Sequence, residues 1–162
     1  MKLHKRLPRV DLPNATYFAS VDTAGRRAWF ADRSRAEMLC RLICAERGRS
    51  VLLHAFVVMP HHYHLLVTLL GDHRLPRVIQ RINSLSARRI NRSVGRSGRL
   101  WARRFYDHVV RNLDDFQECF NYIHENPRVS GMVASPAECP YSSASYWENG
   151  TSPWGEFDPP WP

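Results

Sequence analysis

Two histidines separated by one residue, and a tyrosine followed four residues later by an asparagine, are the residues whose types and spacing indicate chemistry. His62 and His64 flank Tyr63 in an apolar, β-branched segment. Alternate residues of a strand point to the same face, so both imidazoles can bind one divalent cation. A lone His-x-His also arises by chance, which makes this pair a weak signal by itself.

The second half of the candidate site is Tyr122 with Asn126, one turn apart on a flank of a predicted helix. Facing a metal held by the histidines, the tyrosine oxygen could attack phosphorus and give a covalent phosphotyrosine. The metal would polarise the phosphate, and Asn126 would complete the metal site. The alternatives are a half-buried amphipathic tyrosine and an asparagine that caps the helix before Pro127. The hypothesis therefore depends on distant side chains meeting in space.

The charge of the chain favours a nucleic-acid partner. The net charge is +8, the pI is near 9.9, and only Lys2 and Lys5 among the 23 basic residues are lysines. Arginine presents a planar fork of donors that matches phosphate and stacks on bases. A genome with GC-rich codons would also enrich arginine, so composition alone leaves both explanations open.

A long predicted helix over 75–92 carries a stripe of arginines. Four of them fall within roughly 60° of one another around the helix axis. These are Arg77, Arg81, Arg88 and Arg92. Between positions 74 and 111 there are eleven arginines and a single acid, whereas a solvated face usually mixes the two signs. We expect phosphate contacts from this region. The predicted DNA-binding residues are Arg77, Arg81, Arg88, Arg92, Arg103 and Arg104.

The elements that must position these residues follow the order β-α-β-β-α-β-α. We predict strands over 16–21, 51–59, 63–70 and 101–110, and helices over 32–47, 75–92 and 114–126. This order is typical of an α+β, ferredoxin-like (RRM-like) antiparallel sheet, with helices on one face and the other face open for a ligand.

The expected organisation is a basic arm over 1–14, a catalytic domain over 15–127 and an irregular extension over 128–162 packed on the domain. The longest apolar runs are too short for a membrane span, and the first residues lack the apolar core of a signal peptide. A cytoplasmic protein is expected.

Four ordered segments resemble a known family. Met-Pro-His-His-Tyr-His-Leu-Leu at 59–66 is similar to the Met-Pro-Asn-His-x-His-Leu-Leu motif of the single-tyrosine HUH transposases. The segments at 100–108, 122–127 and 140–143 resemble that family's Leu-Trp block, its Tyr-Ile-x-x-Asn-Pro segment and its Pro-Trp-Ser-Ser motif. Within the family, the chain resembles the REP-associated tyrosine transposases. Two positions depart from the motif, because His61 replaces asparagine and Tyr63 fills a hydrophobic slot.

The resemblance implies a role for each matched residue. His62 and His64 match the metal ligands, Tyr122 the nucleophile and Asn126 the third ligand. The family nicks single-stranded DNA at hairpin-forming repeats with Mg²⁺ or Mn²⁺ and holds a 5′-phosphotyrosine, which a 3′-hydroxyl can attack to rejoin strands. Its members occur as monomers and as homodimers.

Two other functions stay open from the sequence. The first is a non-catalytic protein that binds DNA hairpins, because ferredoxin-like sheets also serve as binding modules. The second is a zinc hydrolase that uses the two histidines, but it lacks a third strong ligand near the pair.

Overall fold

The computed structural model of the chain describes residues 12–159, so the predicted arm over 1–14 lies outside the described residues except for 12–14. The elements are β1 (Thr16–Asp22), α1 (Arg33–Cys44), β2 (Val51–Met59), β3 (His62–Leu69), α2 (Leu75–Ser93), β4 (Tyr106–Val109), α3 (Leu113–Val129) and α4 (Ala144–Asn149). Within this part of the chain, none of the helices combines the length and apolar character that a membrane span requires.

The four strands form one antiparallel sheet in the order β2-β3-β1-β4. The central pairing sets Asp22 of β1 opposite His62 of β3, and Ser20 opposite His64. Opposite residues of an antiparallel pair share a face, so these four side chains lie on one side of the sheet. The β-α-β-β-α-β series with this strand order confirms the predicted α+β, ferredoxin-like fold class.

Helices α1 and α2 cover the face of the sheet opposite His62 and His64. Leu39 and Ile43 of α1 lie one turn apart and are buried together with Ile82 of α2. This spacing gives each helix an apolar stripe to bury against the strands. Tyr63 points into the same layer, where its hydroxyl donates a hydrogen bond to Oδ1 of Asn83 at 2.9 Å.

The prediction that helices cover only one face of the sheet is wrong, because α3 packs on the other face. Phe116, Cys119 and Ile123 of α3 are fully buried in one cluster with Phe18 and Leu66 of the sheet. An amphipathic helix must bury its apolar stripe, and α1 and α2 already occupy the first face. Helix α3 therefore packs mainly across β2 and β3.

The last strand is shorter than the predicted segment 101–110, because β4 begins only at Tyr106. Trp101 instead forms an isolated bridge with Thr23 and stacks on Phe30, with ring centroids 5.2 Å apart. The exposed Arg103 and Arg104 lie between this bridge and β4, outside the sheet. The aromatic residue is thus buried without belonging to the strand.

Helix α3 continues through Pro127 to Val129, so the predicted end before this proline is wrong. A proline removes one N–H donor, but its fixed φ is compatible with a helix. The Ser130 N–H still donates to the carbonyl oxygen of Asn126 at 3.1 Å, which keeps the last turn regular. Asn126 consequently lies inside the helix, where its side chain has a fixed direction.

The residues after α3 lie along the outer edge of β2. Ser142 bridges to Val57, and Phe157 is 3% exposed and packs against Phe56. The Leu53 N–H donates to the carboxylate of Asp158 at 2.7 Å. This segment contains α4 and covers a strand edge that would otherwise present unpaired backbone groups.

Candidate active site

His62 and His64 lie side by side at the start of β3, on the face that α3 covers. Their ring centroids are 4.6 Å apart, and His64 stacks on Phe18 at 5.5 Å. His62 is half-buried and His64 is 3% exposed. The two-residue period of the strand therefore brings both imidazoles to one place, as their spacing predicts.

Tyr122 and Asn126 reach the same place from α3. The Tyr122 ring is half-buried and lies 5.3 Å from the His64 ring and 5.7 Å from that of Phe18. Nδ2 of Asn126 lies 3.5 Å from Nε2 of His64. The apolar stripe of α3 faces the sheet, so these two residues on its flank face the open end of β3. The side chains that the sequence separates by about sixty positions thus converge.

Both histidines are neutral near pH 7. Burial and the neighbouring His61 lower the pKa of His62 to about 4. Burial, with a smaller effect from His62, lowers the pKa of His64 to about 3. A metal ligand must be deprotonated, so these two imidazoles can accept a cation without first releasing protons.

The donor atoms of this site fit a divalent cation. Nδ1 of His64 is buried and has no hydrogen-bond partner among residues 12–159. A buried polar atom without a partner is costly, so the fold holds this histidine at some cost in stability. Its other nitrogen, Nε2, is the one that faces Asn126. The Asn126 side chain also forms a hydrogen bond with His62, so it reaches both imidazoles. Imidazole nitrogen and amide oxygen are both common ligands of divalent cations.

Asp22, Arg26 and His61 form the rim of the site, and the sequence analysis missed the first two. Arg26 donates from Nη1 to Oδ1 of Asp22 at 3.0 Å and from Nη2 to Nε2 of His61 at 3.2 Å. Nδ1 of His61 lies 2.7 Å from Nδ1 of His62. Asp22 could have been found only from the β1–β3 register, which sets it opposite His62.

A second polar group joins β4 to the first turns of α3. Nε2 of His108 lies 2.7 and 2.8 Å from the carboxylate oxygens of Asp115. Asp115 also accepts a hydrogen bond from the Arg111 N–H at 3.0 Å. These contacts fix the helix that carries Tyr122 against the edge strand.

The predicted DNA-binding arginines do not form one surface. The exposed members are Arg77, Arg88 and Arg92 on α2 and Arg103 and Arg104 in the loop before β4. Arg81 instead makes a two-pronged ion pair with Glu46, which is 4% exposed, and also donates to Ser50. Because α2 lies on the sheet face opposite α3, its arginines are separated from the histidine pair by the sheet.

Comparison with known proteins identifies the family. Residues 15–126 match the family described as Transposase IS200 like. The chain belongs to this family. The match includes every strand and extends along α3 to Asn126, so it contains all four candidate residues. This transposase is also 26% identical over 136 residues to the REP-associated tyrosine transposase of Escherichia coli (strain K12), across 83% of this chain and 79% of that protein.

A solved structure shares the fold. The REP-associated tyrosine transposase bound to a REP hairpin superposes on this transposase with a TM-score of 0.73. The alignment covers 96% of this chain and 93% of the other, at 24% sequence identity. At this identity the likeness concerns the fold. The family match over residues 15–126 confirms the resemblance to transposases that the sequence motifs indicated.

Proposed function

We propose that this transposase is a metal-dependent endonuclease and strand transferase for single-stranded DNA that acts at hairpin-forming repeats. The observation that carries the proposal is the convergence of Tyr122, two neutral histidines and Asn126 at one end of β3. A phenol beside neutral metal ligands is suited to nucleophilic attack on a phosphodiester.

The proposed step transfers a phosphoryl group to Tyr122. Its oxygen forms a bond to phosphorus, the bond from phosphorus to the 3′-oxygen breaks, and the phenol proton passes to solvent. The leaving oxygen takes up a proton and becomes a free 3′-hydroxyl, while the 5′-phosphate stays on the tyrosine. Attack by a 3′-hydroxyl reverses the sequence and rejoins a strand without an external energy source.

The remaining residues hold the reactants in place. His62, His64 and Asn126 are the groups that would bind Mg²⁺ or Mn²⁺, and the ion when bound would stabilise the charge that develops on the phosphate oxygens. Stacking on Phe18 fixes the orientation of the His64 ring. The contact between His61 and His62 fixes the second imidazole.

We propose a DNA hairpin with single-stranded flanks as the substrate, encountered in the cytoplasm. Support comes from the similar fold of the REP-associated transposase that is bound to a REP hairpin and from the net charge of +8. Phosphate contacts are assigned to the exposed arginines, which are Arg77, Arg88, Arg92, Arg103 and Arg104. Arg81, paired with Glu46, is left out of this set.

The test is formation of a covalent adduct on a REP hairpin oligonucleotide with Mn²⁺, resolved on a denaturing gel. We expect the wild-type protein to form an adduct and Tyr122→Phe to form none, because the variant lacks the attacking oxygen. Tyr106→Phe is the matched control, since that ring also contacts Phe18, at 6.2 Å, and its loss should leave the adduct unchanged.

Two other outcomes would contradict parts of the proposal. An adduct that survives in Tyr122→Phe and disappears in Tyr106→Phe would show that the nucleophile is wrongly assigned. Binding of the hairpin without an adduct in Mg²⁺, Mn²⁺ or Zn²⁺ would identify a non-catalytic hairpin-binding protein instead.

A further inference from the structure

The turn that follows β1 has an unusual backbone. Gly25 has a φ of +65° and Arg26 a φ of +50°. The left-handed region is natural for glycine, but it is unfavourable for a residue with a side chain. A non-glycine residue held there needs support from its surroundings, and such positions cluster at functional sites.

The support comes from the residue that directly precedes β3 and from the segment before β4. The Thr23 N–H donates to the carbonyl oxygen of His61 at 2.9 Å, and the Thr23 hydroxyl lies 2.8 Å from the carbonyl oxygen of Arg27 and 3.1 Å from that of His61. The Ala24 N–H donates to the carbonyl oxygen of Leu100 at 2.8 Å. The start of the turn is thus fixed to the residue before His62, and the Arg26 N–H donates to the carbonyl oxygen of Thr23 at 3.1 Å.

The guanidinium of Arg26 has hydrogen bonds that orient it, but they involve only some of its N–H groups. Two of its five N–H groups contact Asp22 and His61, and the side chain is 63% exposed. An exposed ion pair between residues four apart contributes little net stability, so stability alone does not account for a strained arginine. The unused donors lie at the rim of a site whose histidines are neutral.

We propose that Arg26 binds a phosphodiester of the DNA strand as that strand enters the active site, with Asp22 and His61 as positioning residues. A guanidinium fork is suited to two oxygens of one phosphate. Nη1 contacts Asp22 and Nη2 contacts His61, and the other N–H groups of this largely exposed side chain are available to a phosphate that comes close to His61. This inference rests on the proposed function, because it takes single-stranded DNA as the ligand.

The experiment is a double-mutant cycle between Arg26 and single phosphates, measured by equilibrium binding in the Tyr122→Phe background. The probes are REP hairpin oligonucleotides, each with one neutral methylphosphonate in a single-stranded flank. We expect Arg26→Gly to bind unmodified DNA about 10-fold more weakly. One methylphosphonate should weaken the parent protein by a similar factor and have no further effect on Arg26→Gly.

Two variants separate this role from a structural one. Arg26→Gly should melt at the same or a higher temperature than the parent, since glycine accepts a φ of +50° without strain. Arg27→Ala removes an equal charge from the next, exposed position, and it should stay fully sensitive to the same methylphosphonate. Arg26→Lys keeps the charge but not the fork, and should recover part of the affinity.

The proposal is overturned if Arg26→Gly binds DNA as tightly as the parent. It is also overturned if every methylphosphonate weakens both proteins equally. These results are independent of catalysis. Coupling to one phosphate without a covalent adduct in the wild-type protein would support Arg26 and contradict the proposed nuclease. An adduct without coupling would do the reverse.

Discussion

The two faces of the sheet differ at one buried polar atom. On the face under α1 and α2, the Tyr63 hydroxyl donates to Asn83, and the Trp101 indole donates to Ser86 at 3.0 Å. On the face under α3, Nδ1 of the buried His64 has no partner among the described residues. A polar group that stays unsatisfied costs stability, so its place in the fold indicates a site built for a ligand rather than for packing.

The two faces of the sheet also differ in where their exposed arginines lie. The exposed arginines of α2 lie behind the first face, whereas Arg26 lies at the rim of the second. A DNA molecule that contacts both must pass around an edge of the sheet. We therefore expect the α2 arginines to bind DNA away from the cleaved bond, where they affect affinity and leave the chemical step unchanged.

The strongest test of this difference between the two faces is to substitute neighbouring residues of β3 that point to opposite faces. His64→Leu should lower the rate of adduct formation by about 100- to 1000-fold and should keep or raise the free energy of unfolding without metal, because it removes an unpartnered polar group. Tyr63→Phe should lower the free energy of unfolding by about 1 kcal/mol and leave the rate unchanged. Gel kinetics and urea unfolding measure the two effects.

Equal effects of both substitutions on rate and stability would contradict the division of the sheet into a structural and a functional face. A loss of stability in His64→Leu of the size expected for a cavity would show that the imidazole is a packing residue. The Phe18 ring, which stacks on His64, gives the leucine an apolar neighbour. A loss of stability would therefore report the lost packing of the imidazole.

A second buried histidine, His124, should make the stability of the protein depend on pH. His124 lies on α3 and, unlike His64, has a partner, because Nε2 is 2.7 Å from Oγ of Ser143. Burial lowers the pKa of His124 to about 4. The unfolded chain therefore takes up this proton near pH 6.5 and the folded chain only near pH 4, so stability is lost as the pH falls through that window.

Replacing the histidine should flatten this part of the pH profile. Between pH 7 and pH 4.5, we expect His124→Gln to lose about 2–3 kcal/mol less free energy of unfolding than the wild-type protein. Urea unfolding at the two pH values measures the difference. An unchanged pH dependence would mean that His124 is protonated equally in both states, and that its burial has no electrostatic cost.

Much of the candidate site could be predicted because local periodicity sets it. His62 and His64 share a face because strands repeat every two residues, and Tyr122 and Asn126 share a flank because helices repeat every 3.6. The motif around Pro127 favoured a helix end, and that prediction failed because the loss of one donor did not outweigh the packing of α3.

Other features depend on packing between distant elements, which one sequence does not reveal. The face that α3 covers follows from which face α1 and α2 have already filled. The place of Asp22 beside His62 follows from the register of β1 against β3. The pairing of Arg81 with Glu46 follows from the contact between α2 and the end of α1. The charge pattern of α2 alone does not predict this pairing.

The smallest expected effects distinguish the arginines of α2 from one another. Arg81→Ala should lower the free energy of unfolding by about 2 kcal/mol, since it removes the cationic partner of the buried Glu46 carboxylate and leaves the hydrogen bond from Ser50. It should not alter the salt dependence of hairpin binding. The exposed Arg88→Ala should leave stability within about 0.5 kcal/mol and reduce the slope of log K against log salt by about one. Should Arg81→Ala reduce the slope as much as Arg88→Ala, Arg81 must exchange Glu46 for a phosphate when DNA binds, and the arginines of α2 would form one surface after all.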